Sequence, residues 1–215
     1  MTRMAQILMT ILCTLALGVL VALFWRIDNA AMTFSWSWAL IGIIAVLHGV
    51  TMKIADLLDE HGMVWMKGLN MWYGVLWGGF ASLLVIADAH LANAFLAMTL
   101  AFLVRLLLDH RNHAVAGAII IITFLASSQF IPTDFSLVFV GLAALGMLKD
   151  HIGNVRIKRD VLYKLNELAP YSILVSLAYS ALTDNWIVFF AFTISTASYS
   201  FVKFYFLKRG WYARL

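Results

Sequence analysis

The 215-residue sequence is poor in the residues that punctuate and solvate an ordinary chain: one cysteine, two prolines, and charged side chains at only 12% of positions. A single thiol excludes an internal disulfide framework, and Cys13 lies inside an apolar run, where a small buried hydrophobe is the ordinary expectation. Two prolines, and thirteen glycines without a period, exclude a collagen-like repeat and a proline-rich disordered tract. Soluble domains carry charge on about a quarter of their residues, so this chain cannot build an ordinary aqueous surface. What is present is apolar, with 63% of residues hydrophobic. The composition predicts an all-α fold, a polytopic transmembrane helix bundle forming a single integral membrane domain over residues 1–215, with the lipid bilayer as its partner. The net charge of +4 comes from short basic clusters between apolar runs, and no nucleic-acid motif accompanies them.

A helix needs about 20 mostly apolar residues to cross a bilayer. Eight segments answer to that description: Ile7–Trp25, Phe34–Met52, Leu69–Ala87, Leu91–Leu108, Ala114–Phe130, Phe135–Leu148, Glu167–Leu182 and Trp186–Leu207. The first has too long an apolar run and too bulky a boundary, Phe24-Trp25-Arg26, for a cleaved signal peptide, and reads as a retained helix. Eight spans put both termini on one side, and fourteen of the fifteen Lys and Arg residues fall there, with only Arg26 opposite. The positive-inside rule then predicts cytoplasmic N and C termini. Trp36, Trp38, Trp65, Trp72, Trp77, Trp186 and Trp211 lie near the expected span ends and read as interfacial aromatics.

The polar residues concentrate on the same side. After the second span comes Lys53-Ile-Ala-Asp56-Leu-Leu-Asp59-Glu60-His61; after the fourth, Arg105-Leu-Leu-Leu-Asp109-His110-Arg111-Asn112-His113; after the sixth, Lys149-Asp150-His151-Ile-Gly153-Asn154 and a basic stretch through Lys158. Each carries an aspartate, a histidine and at least one base, which predicts one shared polar pocket. Asp56 and Asp59 share a helix face if the helix continues, and neighbouring carboxylates repel unless something positive lies between them. A hard cation such as Mg²⁺ binds one or two carboxylates and completes its shell with phosphate oxygens and water. His110 and His113 form a His-x-x-His pair, but neither His-Glu-x-x-His nor a multiple-histidine box is present. His48, within the second span, reads either as a helix-packing residue or as one lining a pocket.

Asp56-Leu-Leu-Asp59 and Lys149-Asp150-His151-Ile-Gly153-Asn154, after the second and sixth spans, resemble the two Asp-rich motifs of the UbiA superfamily of intramembrane prenyltransferases. The sequence differs at Ala55, where the family usually has Asn, and at Met63, where it has a further acid. The resemblance implies a UbiA-like arrangement of helices and an isoprenoid diphosphate bound with Mg²⁺. It implies that Asp56, Asp59 and Asp150 hold the metal and carry catalysis, while Arg111, Lys149, Asn154 and Lys158 bind substrate. Tyr73 and Tyr171, with Trp72, Phe124 and Tyr179, are candidates to line the isoprenoid cavity. Two other classes stay open: a non-catalytic membrane subunit or scaffold, and a small-solute transporter. For the last, Ser127-Ser128-Gln129 is the only sizeable polar cluster on the outer side.

Overall fold

A computed structural model describes residues 36–59, 68–105, 107–108, 110–127, 130–154 and 171–208. Among these residues there are seven helices and no strand: α1 Trp36–Asp59, α2 Leu69–Ala87, α3 Ala89–Val104, α4 Arg111–Ser127, α5 Pro132–Asn154, α6 Tyr171–Thr183 and α7 Trp186–Lys208. The expected span Ile7–Trp25, with Cys13, lies outside the described residues. Helices α1, α2, α5 and α7 are long and apolar enough to cross a membrane, which makes the chain an integral membrane protein. Their outward faces are apolar: Ile43, Ile86, Val140 and Phe201 are all exposed, as lipid-facing residues are.

Local chemistry sets the boundaries. Asp88 is the one residue between α2 and α3, and its side chain accepts from the backbone N–H of His90 at 2.8 Å and of Leu91 at 3.0 Å. That N-cap starts α3 two residues earlier than the apolar pattern predicts. Pro132 opens α5, where its missing N–H costs nothing. Between α6 and α7 the chain reverses at Asp184, in the left-handed region at φ 56°, and Asn185 Oδ1 accepts from the Ile187 N–H at 3.2 Å. The largest departure from the sequence expectation is α1. It runs seven residues past Met52, so Lys53, Asp56 and Asp59 belong to the helix and not to a loop.

Helix α3 is the hub. Leu91 through Thr99 are buried without interruption, and α3 packs on α2, α4, α5 and α7. A helix apolar all round belongs at the centre of a bundle. The remaining contacts run in series around it: α4 meets α2, α2 meets α1, α1 meets α7, α7 meets α6, and α6 meets α5. The α2–α4 contact depends on a Gly-x-x-x-Gly spacing. A Cβ on Gly74 would lie 2.7 Å from the Asn112 carbonyl oxygen, and one on Gly78 2.7 Å from Ala116 Cα. Small residues four apart let two backbones approach where no water-driven hydrophobic force presses membrane helices together. Trp77, between them, is 2% exposed, so it is a core residue and not the interfacial anchor its position suggests.

Far from the expected cytoplasmic side, His90 Nδ1 lies 2.6 Å from Asp134 Oδ2 and 3.2 Å from the Tyr179 hydroxyl, joining α3, α5 and α6. Asn93 strengthens this end, accepting from the Ile131 N–H at 2.9 Å just before α5.

Replacing Gly78 with Leu should force α2 away from α4 and lower the unfolding free energy of the detergent-solubilised protein by about 1–3 kcal/mol. Gly79 faces open space. Gly79→Ala should leave stability unchanged or slightly raised, and an equal loss in both variants would show that close approach of α2 and α4 is not the cause.

Candidate functional site

Successive helices alternate in direction, so the last turns of α1, α3, α5 and α7 meet the first turns of α2, α4 and α6 at one end of the bundle. There two carboxylates each belong to a cluster that joins three helices. Asp56, on α1, is 4% exposed. Its Oδ1 lies 2.9 Å from His113 Nε2 on α4, and its Oδ2 accepts from the Tyr199 hydroxyl on α7 at 2.6 Å. Lys53, one turn earlier on α1, donates to Asp56 Oδ2 at 3.4 Å and to the Tyr199 oxygen at 3.1 Å. The other nitrogen of His113 faces the Leu107 carbonyl oxygen at 3.2 Å. His113 thus ties the Asp56 carboxylate to the backbone just before α4. Asn112 sets the height of α4 against α1 by donating from Nδ2 to the Ala55 carbonyl at 3.1 Å.

Asp150, on α5, takes a two-pronged grip from Arg105 at the end of α3. Nε and Nη2 donate to Oδ2 and Oδ1, both at 2.9 Å, while Nη1 donates to the Tyr171 hydroxyl on α6 at 2.7 Å. The guanidinium reaches Asp150 across Gly146, one turn earlier on α5, where any Cβ would collide with it. Its side chain is 3% exposed, against 41% for Asp150. Lys149 Nζ stands 5.5 Å from the centre of the Tyr171 ring, within cation–π range.

The two clusters border one cavity of about 570 Å³, within the usual range for ligand pockets. Every described helix contributes to its wall. Its deep part is apolar, with Trp77, Phe95, Met98 and Phe192, while its other lining includes Arg105, His110, His113, Lys149 and Lys203. The ends of α1, α3 and α5 therefore border one space through Asp56, Arg105 and Lys149, while His151 is exposed outside the lining and His61 and Asp109 lie outside the described residues.

The anticipated site residues divide. Asp56, Lys149 and Tyr171 line the cavity, and Asp150 stands behind Arg105. Arg111 is exposed at the start of α4 and outside the lining, while Tyr73 packs against the apolar core. Trp72 is 66% exposed, Phe124 is buried in the core, and Tyr179 serves the far cluster. Asp59 and Asn154 end α1 and α5, but their side chains lie outside the described set, as does all of Lys158. Arg105 and Tyr199 were not singled out by sequence. In the sequence Arg105 is one base in a cluster, and Tyr199, four residues after Ser195 on α7, carries no motif.

A Mg²⁺ ion held by Asp56, Asp59 and Asp150 needs carboxylate oxygens turned toward it. Among the described residues no group of three or more His, Cys, Asp or Glu side chains could hold a metal. Asp56 is already matched by Lys53 and His113, and Asp150 by Arg105. The described part of the proposed metal set does not fit a metal, because contacts with Lys53, His113, Tyr199 and Arg105 already occupy the oxygens its carboxylates would offer.

Removing one partner of a buried pair leaves the other uncompensated. Asp150→Ala should therefore cost about 1–3 kcal/mol in unfolding free energy, moderated by the half-exposed carboxylate. Exchanging both partners, Arg105→Met with Asp150→Leu, should recover most of that loss. A double variant as unstable as the sum of its single changes would mean that the two side chains do not act as a pair.

No protein-family model matches the chain, and no curated protein or solved structure matches it.

Proposed function

We propose that the chain is an intramembrane prenyltransferase-like enzyme that admits an isoprenoid diphosphate to this cavity. The observation that carries the reading is the lining itself: an apolar, aromatic interior joined to Arg105, Lys149, Lys203 and His110. An amphiphile with a long apolar tail and a compact anionic head suits both parts. Arg105 spends three of its five N–H donors on Asp150 and Tyr171, leaving two for phosphate oxygens. In such an enzyme the cations would offset charge on the departing diphosphate as the allylic C–O bond ionises. A helix-lined space would keep water from the carbocation, and aromatic faces such as Trp77 and Phe95 would stabilise it. Mg²⁺, which the UbiA resemblance implies, enters no step of this account. In the same reading Ile7–Trp25 is the eighth helix of a UbiA-like arrangement, and both termini face the cytoplasm. Cysteine labelling should place them on one side.

A non-catalytic scaffold is the second reading, and one observation favours it. Asp56 and Asp150 are both committed to pairs between helices, as residues kept for assembly are.

Binding separates the two. In nanodiscs the protein should bind farnesyl diphosphate, and binding should persist in EDTA. Lys149→Ala with Lys203→Ala should weaken it roughly tenfold, as the loss of two charge-assisted contacts implies. Raising the salt concentration should weaken it as well. Released diphosphate should follow turnover with an acceptor. Asp56→Ala is a poor test of chemistry, because it strands Lys53 and His113 and destabilises the fold. A protein that binds no allylic diphosphate belongs to the scaffold class.

A further inference from the structure

Deep in the same cavity, two polar groups on neighbouring helices have no hydrogen-bond partner among the described residues. His48 on α1 is 2% exposed. Its Nδ1 lies 2.7 Å from Ser195 Oγ on α7, while its Nε2 is buried and unbonded. Trp77 on α2 is equally buried, and its indole Nε1–H is unbonded as well. Both rings line the cavity, their centroids 5.9 Å apart and nearly edge to face. Phe95 stands edge-on to His48 at 5.3 Å, and His113 edge-on to Trp77 at 6.1 Å.

Buried polar atoms left without partners are uncommon and costly, and two of them beside one cavity call for a common partner. The chemistry of the two atoms defines it. An indole N–H only donates. His48 Nε2 accepts when Nδ1 donates to Ser195, and donates when the serine hydroxyl points at Nδ1. A hydroxyl oxygen serves in either case: it accepts from the indole, and it gives its proton to Nε2 or accepts from it. A phosphate oxygen does not serve an accepting imidazole, and the cations that would hold a phosphate are those of the other cluster, with Arg105 and Lys149. We infer that His48 and Trp77 form a hydroxyl-binding subsite for a neutral apolar alcohol or phenol, distinct from the diphosphate subsite. Ser195 acts through His48, setting which of its nitrogens carries the proton. The inference rests on the cavity being a ligand cavity. Under the proposed function it names the second substrate, the acceptor, as a hydroxyl-bearing lipid-soluble molecule.

The test compares farnesol with farnesyl methyl ether, of similar shape but without the proton, on the full chain in nanodiscs. Farnesol should bind about tenfold more tightly, and it should shift the Trp77 indole proton resonance, assigned by its loss in Trp77→Phe. In His48→Leu the preference should vanish while the ether binds as before. Should that variant fail to fold, the two ligands on the unaltered protein still decide. Equal affinity for alcohol and ether, or a Trp77 resonance that does not move on binding farnesol, would overturn the subsite; a resident water would then be serving the pair. Farnesyl diphosphate binding, measured in parallel, keeps the two readings apart. If it survives while the alcohol preference is absent, only the subsite falls; if it is absent while the preference holds, only the prenyltransferase reading falls.

Discussion

The Asp56 carboxylate is the constraint on which the arrangement of the helices depends. It is almost entirely buried, close to the end of a helix otherwise suited to lipid. A charge there is tolerable only if the protein surrounds it with donors. Lys53 comes from its own helix, but His113 and Tyr199 come from α4 and α7, so satisfying one side chain fixes three helices in register. The backbone follows: Asn112 clasps Ala55, and Gly74 lets α2 close on α4 beside it.

A second set of helices is tied in the same way but at both ends. Arg105 links α3 to α5 and α6 through Asp150 and Tyr171, and some fifteen residues away along α3, His90 links the same three helices through Asp134 and Tyr179. The cavity lies where these two tied groups face each other, with Asp56 and His113 on one side and Arg105, Lys149 and Tyr171 on the other. Its position thus follows from the ion pairs. Side chains such as Met52, Met98 and Phe204 line the space between them.

This arrangement assigns different work to residues that look alike in sequence. The aspartates organise, while Lys149 and Lys203 contribute to the lining of the cavity. His48 and His113 illustrate the same division. His113 has oxygens facing both nitrogens and is part of the frame, whereas His48 has one nitrogen held and one buried without a hydrogen-bond partner among the described residues.

Composition alone determined the all-helical membrane class, because so many apolar residues and so few charges leave a bilayer as the only solvent for the surface. The bounds of α2 were legible to the residue, since Leu69 and Ala87 close an uninterrupted apolar run beside Gly68 and Asp88. The recurrence of Asp, His and a base at three helix ends was legible too. What each of those groups does was not. Periodicity places Asp56 and Asp59 on one face, but it cannot say that a histidine 57 positions later lies within hydrogen-bond distance of Asp56. Nor can it say that Trp77, near a run of interface-like aromatics, faces inward, because that depends on Gly74 and Gly78 drawing α4 close. The roles of Arg105, Tyr199 and His48 were decided only by tertiary structure. Ion pairing and burial are relations between helices far apart in the chain, and the sequence carries their partners without marking the pairs.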